Sequence, residues 1–219
     1  MIVGKQAGSV AAFAFLLVLL WVGSALAQET RTHLTVLGFD KDYKRMLVKI
    51  DDNNVGLALR LYSMKTGKPA KKSRLIEYLR GQEVMTIKRA RRKFKIKDPG
   101  IEAMKTEDEK IAFFSVEKGD NLVIAATDYK KLGKLTDVPL KVDTETKAKA
   151  KGLLKSMYWS EDRKWVVLVV NQKLKGAFVS DRDELIPMKF KKSAIRWVEP
   201  EEKKEEEKKD ESPWWKFWD

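Results

Sequence analysis

The chain has 219 residues, 43% hydrophobic and 35% charged, with no cysteine, one histidine and a formal net charge of +13. The missing cysteine excludes disulfides, thiolate catalysis, Cys-based zinc sites and lipoprotein-type acylation, and His33 alone leaves little for metal or triad chemistry. The tail from Glu199 to Asp219 holds nine acidic and five basic residues, so the positive charge is concentrated before it. Such a field favours anionic partners.

Lys5 and the free amino group form a modest positive start, and Val10 to Val22 is an apolar run. Ser24-Ala25-Leu26-Ala27 ends in an A-x-A cleavage signal. Residues 1–27 therefore read as a signal peptide cleaved between Ala27 and Gln28, with an uncleaved anchor as the alternative. The expected location is periplasmic or secreted. Residues 28–198 are expected to form one β-rich α+β domain.

Within that domain His33 to Leu37, Arg45 to Ile50 and Leu57 to Ser63 read as strands. Asp51, Asn53 and Gly56 imitate the start of a calcium loop, but Val55 and Tyr62 stand where further oxygen ligands are required, so the stretch reads as an Asn-rich turn. From Ser73 the spacing turns helical through Ile76, Leu79, Glu83, Ile87, Ala90 and Phe94. This predicts one basic helix at about 73–95, capped by Ser73, weakened at Gly81 and stopped by Pro99-Gly100. Between Lys65 and Lys97 lie thirteen Lys or Arg and only Glu77 and Glu83 as acids. Lys88, Arg89, Arg91, Arg92, Lys93 and Lys95 are the candidate contacts with an anionic surface. The plainer alternative is a helix that packs Ile87, Ala90 and Phe94 on a sheet and points its charges at water.

Lys110 to Val116 and Leu122 to Thr127 read as a second hairpin, and Val138 to Val142 as an edge strand, because Pro139 cannot donate to a ladder. Leu154 to Trp159 pairs with Trp165 to Val170, and short strands follow at 176–180, 185–190 and 194–198. Residues 199–213 are a charged linker that buries no core. Beyond it, 214–219 hold three of the seven tryptophans. Trp214, Trp215, Phe217 and Trp218 are the candidate tail interface, toward a membrane or a partner groove.

Ser115-Val116-Glu117-Lys118 and Lys65-Thr66-Gly67 match two motifs of penicillin-binding enzymes in the wrong order, with the serine at a hairpin, and carry no catalytic assignment. No metal, cofactor or catalytic residue is assigned. Asp162 and Asp183 are the carboxylates that an enzymatic alternative would use.

Two turns share a pattern: Phe39-Asp40-Lys41-Asp42-Tyr43-Lys44 and Trp159-Ser160-Glu161-Asp162-Arg163-Lys164. They resemble the F/W-S-x-D-G-x-x-apolar signature of TolB-like and WD-repeat β-hairpins, with Asp42 and Asp162 matching its aspartate. Tyr43 and Arg163 replace the glycine, and the spacing far exceeds one blade of ~40–45 residues, so a closed propeller is not expected. From Leu37 to Lys191 the order of parts also resembles a family of predicted secreted bacterial proteins of unknown function. There a hairpin leads to a helix with spaced Ala and Arg, like Ile87 to Phe94; the resemblance implies no activity.

The expected fold is thus α+β, mainly antiparallel short hairpins with one basic helix. The expected role is a non-catalytic exported protein that contacts an anionic membrane or an envelope partner, without nucleic acid. The alternatives are a hydrolase of an envelope polymer and an oligomeric scaffold docked through the tail.

Overall fold

The computed structural model describes residues 29–176 and 179–198. The leader at 1–27, the linker at 199–213 and the Trp-rich segment at 214–219 lie outside the described residues. Among the described residues the protein is mainly β with one α-helix. The first strands are β1 (Thr30–Asp40), β2 (Arg45–Asp52), β3 (Gly56–Ser63) and the short β4 (Ile76–Glu77). Helix α1 (Glu83–Phe94), β5 (Ile96–Asp98) and β6 (Ile101–Glu102) follow. Then come β7 (Ala112–Lys118), β8 (Asn121–Thr127) and β9 (Leu132–Pro139). The last group is β10 (Lys151–Trp159), β11 (Trp165–Lys175), β12 (Val179–Lys189), a 3-10 turn (Lys192–Ala194) and β13 (Arg196–Val198).

The larger sheet runs β4-β3-β2-β1-β12-β11-β10-β6, with β5 beside β1, and the smaller runs β13-β9-β8-β7. Neighbours are antiparallel except β1 and β12, which pair in parallel where Thr30 to Thr32 meets Ser180 to Arg182. The larger sheet stays open, as neither a barrel nor a propeller.

Three apolar clusters show how the layers stack. Val36, Phe39, Met46 and Val48 of the first hairpins meet Tyr158, Val167, Val169 and Leu185 of the last, so the large sheet folds its two halves face to face. The opposite face of β11, through Val166, Leu168 and Val170, packs with Leu122, Ile124 and Leu135 of the small sheet. On the outer face of β2 and β3, Leu47, Leu59 and Leu61 are covered by Ala90, Ile87 and Phe94 of α1. The continuous run Trp165 to Val170 follows from this position: a strand covered on both faces needs no polar alternation. Each such side chain contributes ~1.5–3 kcal/mol of burial.

The helix is shorter than the spacing predicts. Gly81 takes φ +91, and α1 begins only after it. Ser73 caps nothing; its Oγ accepts from Arg60 Nε at 3.2 Å, and Ile76 pairs with Leu59 as strand. Leu79, expected on the buried face, is instead 72% exposed. Of the strand expected at 176–180, Val179 and Ser180 begin β12 and 177–178 lie outside the described residues, and 194–198 combines the end of the 3-10 turn with β13. Pro139 closes β9 at a point beyond β13, whose pairing covers only Leu132 to Lys134.

The two similar turns are built alike. Tyr43 and Arg163, standing where a glycine would be expected, take φ 51 and 56. Their N–H groups donate to Asp40 O and Ser160 O at 3.1 and 2.9 Å. The side chain at the same position then collects the next amides: Asp40 Oδ1 accepts from Lys44 N and Arg45 N, and Ser160 Oγ from Trp165 N. β5 and β6 tie the turns together, since β5 pairs with the end of β1 and β6 with the end of β10. Between them Asp98 is buried, accepting from Gly100 N at 2.7 Å, Glu161 N at 2.7 Å and Tyr43 Oη at 3.2 Å. Gly38 is required here: it has φ +142, and a Cβ would lie 2.3 Å from Asp98 O.

Candidate functional site

Helix α1 is fixed from three directions. Glu83 meets Lys49 Nζ of β2 at 2.6 Å, and it places a negative charge in the first turn, where the helix dipole favours it. Ile87, Ala90 and Phe94 pack on the sheet. Lys95 closes the helix with φ 55, its N–H donating to the Arg91 and Arg92 carbonyls.

This docking decides where each predicted cation goes. Lys88, Arg89, Arg92, Lys93 and Lys95 are exposed. Among the described residues none of them meets a carboxylate; Lys93 Nζ lies 5.7 Å from the Phe94 ring centroid. Arg91 is placed differently. It is half-buried, donates from Nη2 to Leu37 O at 2.6 Å, and has an Nε with no hydrogen-bond partner. It joins the helix to the bulge in β1 and is not part of the outer face. Trp214, Trp215, Phe217 and Trp218 lie outside the described residues.

The same face carries apolar residues that the sequence reading did not select. Val84 is 79% exposed and Met85 61%, and Leu79, in the turn before the helix, is 72% exposed. Steps of four place Val84 with Lys88 and Arg92, and Met85 with Arg89 and Lys93. The outer surface of α1 therefore has an apolar end and a cationic end. No helix among the described residues is long and apolar enough to cross a membrane.

The carboxylates considered for an enzyme are both engaged. Asp183 is buried on β12: Oδ2 accepts from Leu34 N at 2.9 Å and Lys155 Nζ at 2.8 Å, and Oδ1 from Asn171 Nδ2 at 2.8 Å. His33 Nδ1 lies 3.6 Å from the same Oδ2, so the chain's single histidine borders this network. Asp162 sits in the second turn, accepting from Ser160 Oγ at 2.6 Å and Lys164 N at 3.1 Å. Burial pushes its carboxyl up, but those bonds and the Lys164 ammonium outweigh burial and hold it below the usual range. Among the described residues, no group of three or more His, Asp or Glu is placed to hold a metal ion.

Other carboxylates are depressed in the same way. Burial raises Asp52, but the Thr32 hydroxyl and the Asn54 and Val55 amides prevail and lower it. Asp108 is brought well below the usual range by Lys192 and then Thr106, and Asp120 is lowered by Lys149. Each binds its proton less readily folded than unfolded. Their stabilising contribution is thus complete above the unfolded value of ~3.9 and lost as pH falls through the lower folded values. The urea midpoint should accordingly be level from about pH 7 to 5 and fall below about pH 4.

Compared with known proteins, the chain matches no family model, no curated protein and no solved structure.

Proposed function

We propose that this is a non-catalytic exported protein that docks on an anionic membrane surface through the outer face of α1. The observation that carries the reading is the juxtaposition, on one helix and its C-terminal cap, of five exposed cations that meet no carboxylate among the described residues with exposed Val84 and Met85, after exposed Leu79 in the preceding turn. Each cation near an anionic bilayer contributes about 1 kcal/mol. Five give about 5 kcal/mol, close to millimolar affinity, and shallow insertion of the apolar end moves it toward micromolar. Lys65, Lys68, Lys71, Lys72, Arg74 and Arg80, all exposed, extend the positive field on the preceding loops. In this reading the leader exports the chain and the aromatic residues at 214–218 supply a second interfacial contact, since tryptophan favours the membrane–water boundary.

Co-flotation of the full chain with lipid vesicles tests this. Vesicles rich in phosphatidylglycerol should carry the protein upward, neutral phosphatidylcholine vesicles should not, and raised salt should release it. Equal flotation with both lipids, or with neither, would count against the proposal.

A further inference from the structure

On the small-sheet side, between the end of β10–β12 and the loop before β7, lies a cavity of about 410 Å³. Its walls combine the Phe190 ring with a cation, Arg163, whose buried nitrogen has no hydrogen-bond partner among the described residues. Trp159 is 1% exposed, and its indole N–H is already donated to Ala103 O at 2.8 Å, so it forms the buried apolar floor behind the cavity and offers it no donor. Phe190 meets it edge-on, with ring centroids 4.9 Å apart and planes at 86°. The Arg163 guanidinium lies over the Trp159 ring at 5.9 Å, on the left-handed residue of the turn. Its Nη1 is shielded from solvent and has no hydrogen-bond partner among the described residues. No other nitrogen of this guanidinium has a hydrogen-bond partner among the described residues, and a planar carboxylate reaching its cavity-facing edge is the natural complement.

Neither acid in the wall fills this role: Glu107 is exposed and makes no bond to Arg163 among the described residues. Asp108 in the wall is held by Lys192 Nζ at 2.8 Å and Thr106 Oγ1 at 2.6 Å, bonds that keep it ionised and engaged. Lys191, exposed on the rim, has no carboxylate partner among the described residues. A bare inorganic anion would leave the aromatic wall uncovered, whereas the volume suits a body of one or two rings.

We propose that this cavity binds a small aromatic carboxylate. The ring lies against Phe190 and the Arg163 guanidinium that covers the buried Trp159, and the carboxylate accepts from the Arg163 guanidinium and Lys191 Nζ. The site is separate from α1, which covers the opposite outer layer, so either proposal can fail without the other.

Titration calorimetry on the full chain tests it, with indole-3-acetate as probe and indole-3-acetamide and acetate as controls. The acid should bind saturably with a Kd below about 1 mM, and both controls at least about tenfold more weakly. Arg163→Asn, chosen because asparagine tolerates the left-handed backbone, should weaken the acid at least about tenfold. Lys191→Gln, on the exposed rim, should weaken it about threefold without moving the urea midpoint, so the test survives if Arg163→Asn misfolds. No saturable binding of the acid would overturn the proposal, as would an amide or acetate that binds equally well.

Discussion

Asp98→Asn should destabilise the fold by about 2–4 kcal/mol. The aspartate holds both hairpin turns: Oδ1 accepts from Gly100 N, and Oδ2 from Glu161 N and Tyr43 Oη. Asparagine has the same shape but only one acceptor oxygen. Whichever way its amide is turned, an NH2 group faces either the Gly100 or the Glu161 amide, which is left unpaired in a buried site. Urea unfolding measures the loss. Asp42→Asn, in the first turn but exposed and with only a 3.7 Å contact to Lys44, should stay within about 0.5 kcal/mol. A second readout separates this role from simple packing. Burial, then the Asp98 and Asp162 charges, push the Tyr43 hydroxyl up to about 12. Removing the Asp98 charge should bring it back toward the ordinary value, measured by ultraviolet titration.

The sequence contained the two turns but not the residue that unites them. Their aromatic, small-or-acidic and aspartate pattern and the apolar runs after them are local, and the hairpins form where those runs predict. Asp98 was invisible because Tyr43 and Glu161 lie 55 and 63 positions away, and only the folded sheet brings them to one carboxylate. The helix start was misjudged for a similar reason. The spacing from Ile76 to Phe94 is helical as a pattern, yet Ile76 finds a strand partner in Leu59 and Gly81 turns left-handed. Tertiary pairing overrode periodicity. Had the helix been started after Gly81, the wheel would have placed Met85 opposite Ile87 and Ala90, with Val84 at the edge of the packed face. The exposed apolar end of the site would then have been readable, and Leu79 would have left the core. Arg91 could not be sorted from its basic neighbours without knowing where the Leu37 carbonyl lies.

The triple variant Lys88→Glu, Arg89→Glu, Arg92→Glu should weaken binding to anionic vesicles by about a hundredfold or more. Removing three cations costs about 3 kcal/mol, and three new anions add repulsion. The fold should survive, because these side chains are exposed and none meets a carboxylate among the described residues. Glutamates near the helix C-terminus cost only ~0.3–1 kcal/mol each through the dipole. Arg91→Ala should do the reverse, lowering the urea midpoint by removing the bond to Leu37 O while leaving vesicle affinity within about threefold. Together the two variants separate a surface contact from a structural pin within five residues of one helix.

The absence of cysteine allows the decisive measurement to be made at chosen positions. Met85→Cys on α1 and Tyr129→Cys, at a position 85% exposed in the loop between β8 and β9, can each carry a single polarity-sensitive dye. On phosphatidylglycerol-rich vesicles the dye at position 85 should shift to the blue and become accessible to quenchers in the lipid, while the dye at 129 stays in water. A dye at position 85 that remains in water while the protein floats with the vesicles would contradict α1 as the membrane-facing surface.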